Sequence, residues 1–205
     1  VEIILVDDGS KEFPAYDIVK DFEYPNFQLW RVDEDLGFNS HGCRNLIADI
    51  ASCDNILFSD IDCHFSPETI AFLKRVTFNP ERLYYFSFYS SFSFQYHPWP
   101  GHPNVFIINK DKFWEAGGYD ESFTGWHHGD REFVERLQIV TELSKISEHL
   151  GFTVVRGARK FVLDATVDKI TYDNHNMIIK IPKQMPENLK GTVKEKINFS
   201  YSQLL

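Results

Sequence analysis

The sequence is poor in cysteine and in basic residues, and it has no long apolar run. Its three cysteines, Cys43, Cys53 and Cys63, match no zinc-ligand spacing, so free thiols in a reducing compartment are predicted. Lys and Arg total 21 against 30 Asp and Glu, and they are scattered, which argues against a nucleic-acid partner. No stretch approaches the roughly 20 apolar residues of a membrane span. With no signal peptide at Val1, a cytoplasmic location is expected.

The length and the pattern of apolar residues predict one α/β domain. The 205 residues suffice for one substantial core and are short for two. Strand patterns alternate with helix patterns over the first 80 residues or so, which is typical of a mostly parallel central sheet flanked by helices. We predict strands at 1–6, 27–32, 55–58, 83–96, 104–108 and 152–155, helices near 13–22, 40–51, 67 onward, 112–116 and 130–150, and an irregular tail beyond 181.

Two carboxylates, Asp60 and Asp62, directly follow the short apolar strand predicted over 55–58. In an extended backbone this spacing points both side chains to one face, where they repel each other unless a cation offsets their charge. The carboxyl ends of strands are where α/β proteins bind nucleotides, and carboxylates suit a divalent metal that carries a diphosphate. A D-x-D is usually a surface feature, but its position after a buried strand favours a metal site.

Asp8 and Arg44 are candidates for nucleotide binding. Asp8 belongs to the Asp-Asp-Gly-Ser run that ends the first strand, and its carboxylate can accept the imide N–H of uracil. A plain Asp-Gly turn is the alternative. Arg44 falls in the first turns of a predicted helix, where it can reach a diphosphate or a base. Taken by itself, a solvated helix residue is the simpler interpretation of Arg44.

Glycines, an aromatic ring and a carboxylate lie close together between residues 117 and 132. Gly118 lets the backbone approach a sugar, Trp126 offers a flat face for a pyranose ring, and His128 is a further candidate substrate contact. Asp130 lies at the start of a long predicted helix. It can be the N-cap of that helix, or a general base that takes the proton from an acceptor hydroxyl. His175 is a lone histidine in a polar stretch, and it gains a role only if a metal needs another ligand.

Together these motifs resemble a nucleotide-sugar glycosyltransferase of the GT-A fold, closest to the family 2 type. The order matches over roughly residues 1–140: D-D-G-S after a strand, G-x(6)-R-N on a helix, hydrophobic-D-x-D, G-G-[FY]-D-E, and an acidic residue opening a helix. The resemblance implies a single GT-A domain over 1–205. Its nucleotide-binding half would cover about 1–80, its acceptor-binding half about 81–180, and the irregular tail 181–205.

The resemblance also implies an activity and a role for each candidate residue. A Mn²⁺ or Mg²⁺ ion and a UDP-sugar donor are expected, with a glycan or glycoprotein as acceptor, and a single base implies inversion of the anomeric carbon. The implied roles are uracil binding by Asp8, a place beside the nucleotide for Arg44, contact with ribose or metal by Asp60, metal ligation by Asp62, base catalysis by Asp130, and completion of the metal site by His175.

The sequence departs from the family pattern in three places. The family usually opens with an earlier strand that lines the nucleotide, and this sequence begins at the following one. Gly129 stands where the family has an acidic residue before its base, which leaves Glu132 or His128 to support Asp130. The helix predicted after Asp130 is also longer than expected.

Other interpretations stay open from the sequence. A nucleotidyltransferase of related fold would usually carry a Gly-rich loop near its start, for which Asp-Asp-Gly-Ser is a poor substitute. A non-catalytic sugar-binding domain is permitted by Gly129. A haloacid-dehalogenase-type phosphatase is disfavoured, because Asp7 and Asp8 are adjacent rather than one residue apart. In its acidity and its many Phe residues, the sequence also resembles a chlorella-virus glycosyltransferase domain, and this resemblance would place the protein in a host cytoplasm.

Overall fold

Ten strands and five helices lie in the part of the chain that the computed structural model describes, which is residues 1–88, 101–121, 128–147, 150–154 and 196–205. The helices are α1 (Ala15–Val19), α2 (Ser40–Ile50), α3 (Pro67–Leu73), α4 (Lys110–Glu115) and α5 (His128–Val140). The strands are β1 (Ile3–Asp7), β2 (Phe27–Val32), β3 (Asn55–Phe58), β4 (Cys63–Phe65), β5 (Arg82–Tyr85), β6 (Ser87–Phe88), β7 (Phe106–Asn109), β8 (Glu142–Lys145), β9 (Gly151–Val154) and β10 (Tyr201–Gln203).

The described strands form three mixed sheets, with the orders β1-β2-β10, β3-β7-β5-β8 and β4-β9-β6. The α/β class is confirmed, and β1 is parallel to β2 as predicted. The expectation of a mostly parallel sheet is wrong here, because β7 runs antiparallel to both β3 and β5. A parallel return needs a long crossover, usually a helix, and the sequence before β7 carries Pro98, Pro100 and Pro103 instead of a helix pattern.

Helix α5 ends at Val140, and the predicted helix over 130–150 is therefore too long. The chain continues as β8, which pairs in parallel with β5 and sets Leu143 beside Leu83. The branched residues at 139–141 lose side-chain freedom in a helix and suit a strand, so pairing with β5 prevails. Gly151 opens β9 instead of ending a helix.

The chain's last residues form a strand where an irregular tail was predicted. Strand β10 pairs antiparallel with β2, and the Leu204 N–H donates to the Leu29 carbonyl at 2.8 Å. The edge of β2 offers unpaired backbone groups that this segment satisfies. None of the described helices is both long and apolar enough to cross a membrane.

The main core explains much of the Phe-rich composition. Phe58, Phe106, Phe113, Tyr119 and Phe133 are nearly or fully buried and contact one another, with Tyr119 and Phe133 ring centroids 4.1 Å apart. Each buried aromatic side chain contributes roughly 1.5–3 kcal/mol by leaving water. This cluster joins β3, β7, α4 and α5, and so it fixes the start of α5 against the strand that precedes Asp60.

Candidate active site

Arg44 lies between two carboxylates that are far apart in the sequence. Its Nη2 is 2.7 Å from Asp60 Oδ1, and its Nη1 is 2.7 Å from Asp130 Oδ1. The guanidinium carbon also lies 5.4 Å from the centroid of the Tyr119 ring. Burial by itself would lower the pKa of Arg44, but Tyr119, Asp130 and Asp60 raise it. With 11% of its side chain exposed, Arg44 is not the solvated helix residue that its position alone suggested.

Asp130 lies in the first turn of α5, because the helix begins two residues earlier, at His128. It is therefore not the N-cap. Besides Arg44, it faces His41, whose Nε2 is 3.4 Å from Asp130 Oδ1. Burial raises the pKa of Asp130, but the charge of Arg44 and the neighbouring His41 imidazole outweigh it and hold that pKa below its usual value.

Glu132 does not support Asp130, as one of the two predicted substitutes would. Both of its carboxylate oxygens bind Arg136 instead, with Nη2 at 2.6 Å from Oε2. Arg136 is almost fully buried and also donates to the carbonyls of Ala116 and Gly118. Glu132 thus pairs with a buried guanidinium whose donors must be satisfied, and Arg136 in turn joins α5 to the turn after α4.

Asp60 and Asp62 lie in a turn after β3. The strand ends at Phe58, and the Cys63 N–H donates to the Asp60 carbonyl at 3.1 Å, which closes the turn. The same-face argument assumed an extended backbone, so it does not hold for this pair. Asp60 accepts a second hydrogen bond from Asn104 Nδ2 at 3.0 Å, whereas Asp62 is exposed.

A divalent cation fits this turn as an ion shared with a ligand. Among the described residues, no group of three or more His, Cys, Asp or Glu side chains could hold a metal ion by itself. His175 lies outside the described residues, so its predicted ligation stays a prediction. Mg²⁺-type ions are commonly held by one or two carboxylates together with substrate phosphates, and the exposed Asp62 carboxylate offers oxygen donors of this kind.

The turn after β1 separates the two adjacent aspartates. Asp7 is buried and accepts from the N–H groups of Ser10, at 2.8 Å, and Ala15, at 2.7 Å. Asp8 accepts from the Asn39 N–H at 2.6 Å through Oδ2, while its Oδ1 is buried without a hydrogen-bond partner among the described residues. Burial raises the pKa of Asp8. Asp7 therefore fulfils the turn role, and Asp8 retains an acceptor for a ligand.

Gly118 is explained by the backbone around it. Its φ is +62°, and a Cβ there would lie 2.7 Å from the Trp114 ring and 2.9 Å from Asn45 Oδ1. Asn45 binds both the N–H and the carbonyl of Tyr119, which ties this turn to α2. A direct contact between Gly118 and a sugar stays a prediction. Trp126 lies outside the described residues, as does the side chain of His128.

The geometry thus joins the D-x-D turn, the Arg of α2 and the acidic start of α5, and comparison with known proteins identifies their setting. The family model described as "Glycosyl transferase family 2" matches residues 1–132. The chain belongs to glycosyltransferase family 2. The match spans Asp8, Arg44, Asp60, Asp62 and Asp130, and the chain is accordingly a glycosyltransferase. No curated protein sequence matches it significantly.

Solved structures place this family 2 chain in the GT-A fold. The catalytic domain of Drosophila β1,4-galactosyltransferase 7 in complex with xylobiose is 15% identical to this chain, with a TM-score of 0.52. The match covers 71% of this chain and 65% of the Drosophila chain. A mutant of that enzyme in complex with manganese, UDP-Gal and xylobiose is 13% identical, with a TM-score of 0.52, and the match covers 83% of this chain and 79% of the mutant's chain. The GT-A prediction is confirmed, and nothing here supports the resemblance to a viral domain.

Three residues around Asp60 and Asp130 were not predicted from the sequence as parts of the site: His41, Asn104 and Tyr119. His41 carries a detectable signal, because it lies three residues before Arg44 and therefore on the same face of α2. Asn104 follows a proline-rich segment and belongs to no motif. Tyr119 is the aromatic residue of the G-G-[FY]-D-E motif, but no role was assigned to it, and its ring contacts with His41 and Arg44 place it beside the two carboxylates.

Proposed function

We propose that this glycosyltransferase moves a sugar from a UDP-sugar to a hydroxyl of a glycan or glycoprotein, with a divalent metal and with inversion of the anomeric carbon. The observation that carries the proposal is the Arg44 guanidinium, which joins Asp60 of the D-x-D turn to Asp130 of α5 at 2.7 Å each. The manganese, UDP-Gal and xylobiose in the Drosophila structure support this choice of metal, donor and acceptor class.

The donor is assigned to the edge formed by Asp8, Asp60 and Asp62. The unpartnered Oδ1 of Asp8 accepts the imide N–H of uracil, a donor that a cytosine ring lacks at this position. Asp62 would hold the Mn²⁺ or Mg²⁺ ion, Asp60 would face the ribose or the ion, and His175 would be a further ligand. Bound there, such an ion would offset the negative charge that develops on the departing diphosphate.

The acceptor is assigned to Asp130. This carboxylate is 6% exposed and its lowered pKa keeps it ionised at neutral pH, so it can take the proton of a hydroxyl that reaches it. The deprotonated acceptor oxygen bonds to the anomeric carbon on the face opposite the diphosphate. The bond between that carbon and the diphosphate oxygen breaks, and the diphosphate oxygen keeps the electron pair. We assign Trp126 and His128 to the sugar and Gly118 to the turn that positions it.

Donor binding and transfer can be tested separately. A thermal-shift panel of nucleotide sugars, with and without Mn²⁺, should show a metal-dependent response to a UDP-sugar. The variant Asp62→Ala should lose that metal dependence. The variant Asp130→Asn should keep the response but lose transfer by roughly 10²-fold or more, because it can no longer accept the proton.

Asp54→Asn is the matched control, since Asp54 is exposed and precedes β3, whereas Asp60 and Asp62 follow it. It should change neither measurement. Near-normal transfer by Asp130→Asn would disprove the base assignment. A wild-type protein that binds a UDP-sugar but transfers to no acceptor would point to a binding domain.

A further inference from the structure

His41 is buried in the first turn of α2, where it faces Asp130. Its side chain is 2% exposed, and its Nε2 lies 3.4 Å from Asp130 Oδ1. Its ring packs on Tyr119 with centroids 5.2 Å apart, so both its position and its tilt are fixed by the core. A buried imidazole is kept where its polar atoms have a purpose, since burying them without partners costs stability.

Asp130 needs a support that the expected residues do not supply. Gly129 has no side chain, and Glu132 binds Arg136 with both oxygens. Arg44 contacts Asp130 but divides its two terminal nitrogens between Asp130 and Asp60. Its hold on Asp130 therefore depends on what Asp60 binds, and Asp60 belongs to the side of the site assigned to the donor.

We propose that His41 is a positioning residue for Asp130. This rests on the proposed function, and it deepens it by naming what replaces the missing acidic support. In the complex with substrate, the His41 Nε2–H donates to Asp130 Oδ1, the same oxygen that Arg44 contacts. With Oδ1 held from two sides, the carboxylate plane is fixed and Oδ2 is turned toward the acceptor hydroxyl, whose proton it takes.

The length of the contact agrees with this role. N–H···O hydrogen bonds usually measure about 2.7–3.2 Å, and 3.4 Å is longer. Catalytic hydrogen bonds are often long without substrate and tighten in the Michaelis complex. The spacing of His41 and Arg44 by three residues puts both donors on one helix face, and because Arg44 already lies 2.7 Å from Asp130, only the His41 contact has room to shorten.

The test compares His41→Gln, which keeps an N–H near the Nε2 position, with His41→Leu, which keeps bulk but no donor. Transfer is measured as kcat and as KM for donor and acceptor, with Mn²⁺ and the UDP-sugar that the wild type uses. We expect His41→Leu to lower kcat by about tenfold or more with donor KM unchanged, as for other residues that orient a catalytic group. His41→Gln should recover most of the loss.

A double variant isolates the route of the effect. In an Asp130→Asn background, His41→Leu should cost no further activity, because residues that act as a unit are not additive. Asp49→Asn, an exposed change on the same helix, serves as the control and should leave kcat unaltered.

Three results would overturn the inference. The first is an unchanged kcat in His41→Leu. The second is an equal loss in His41→Leu and His41→Gln accompanied by a lower unfolding midpoint, which would mean a packing role alone. The third is an additive loss in the Asp130→Asn background. A wild-type protein that binds donor and transfers nothing contradicts the proposed function itself, which distinguishes that failure from these.

Discussion

Adjacent aspartates in the turn after β1 have opposite environments at the residue scale. Asp7 has two backbone N–H donors on its two oxygens and stabilises the turn into α1. Asp8 accepts from the Asn39 N–H through Oδ2, and its Oδ1 is buried without a hydrogen-bond partner among the described residues. Burial raises the pKa of Asp8, so folding disfavours its charged form, a cost that is expected of a binding residue whose ligand offsets it.

The two aspartates should therefore respond differently to the same change. Asp7→Asn should lower the free energy of unfolding by about 1–3 kcal/mol, because it sets an amide donor against a backbone N–H in a buried turn. Asp8→Asn should leave stability equal or slightly higher and weaken binding of a UDP-sugar by about tenfold or more, since it removes an uncompensated charge and an acceptor together.

Denaturant unfolding and a nucleotide binding titration, run on both variants, check this pair. Each variant is the control for the other, because the two residues are neighbours in one turn. A loss of stability without a loss of affinity in Asp8→Asn would reassign Asp8 to the turn.

Helix α2 organises the site at the scale of elements. It carries His41, Arg44 and Asn45, and the Asn39 N–H at its start binds Asp8. Its close approach to the last segment of the chain depends on Gly42. A Cβ at Gly42 would lie 2.7 Å from a ring carbon of Phe199 and 2.5 Å from Asn39 Oδ1.

Gly42→Ala should destabilise the protein even though alanine favours a helix. The helix propensity gained is about 1 kcal/mol, and the crowding against Phe199 and Asn39 should exceed it, for a net loss of about 1–2 kcal/mol. The free energy of unfolding measures the balance.

Phe199→Ala supplies the control for this crowding. It removes the ring that the new Cβ would meet, so the double variant should lose less than the sum of the two single variants. Simple additivity would show that Phe199 is not the obstacle.

The balance of charge decides how pH acts on the whole molecule. The formal net charge is -9, and three of the acidic side chains act on His102. Burial lowers the pKa of His102 from its ordinary 6.5, against the opposing effect of Asp60, Asp130 and Asp62. A histidine whose pKa is lower in the folded state binds a proton more weakly in the folded state than in the unfolded state. It therefore costs no stability above pH 6.5 and reduces stability as the pH falls below that value.

His102→Asn should weaken this dependence. The variant keeps an acceptor near Nδ1, which the Asn104 N–H contacts at 3.3 Å, but it cannot take a proton. Between pH 7.5 and 5.5, the unfolding midpoint should fall further in the wild type than in the variant. Equal falls would assign the pH dependence to other groups.

Local patterns predicted much of the fold because they depend on neighbouring residues. The helix predicted from 67 onward begins at Pro67, with Ser66 as its N-cap accepting from the Thr69 N–H, and β2 and β3 have the predicted bounds. The end of α5 was wrong because Leu143 continues the helical spacing, while the partner that draws this segment into a strand, β5, lies some sixty residues earlier. The antiparallel pairing of β7 and the strand at Tyr201 likewise depend on partners that are distant in sequence.

The sequence by itself determined the family, because the order of its motifs matches that family over residues 1–132. It also identified Asp8, Arg44, Asp60, Asp62 and Asp130 as candidates, because chemistry restricts which side chains can bind a diphosphate, a cation or a proton. Only the tertiary structure decided which of these residues contact one another. It joins Asp60 to Asp130 through Arg44, commits Glu132 to Arg136 and brings His41 to Asp130, because distance and burial, rather than order along the chain, fix which charges meet.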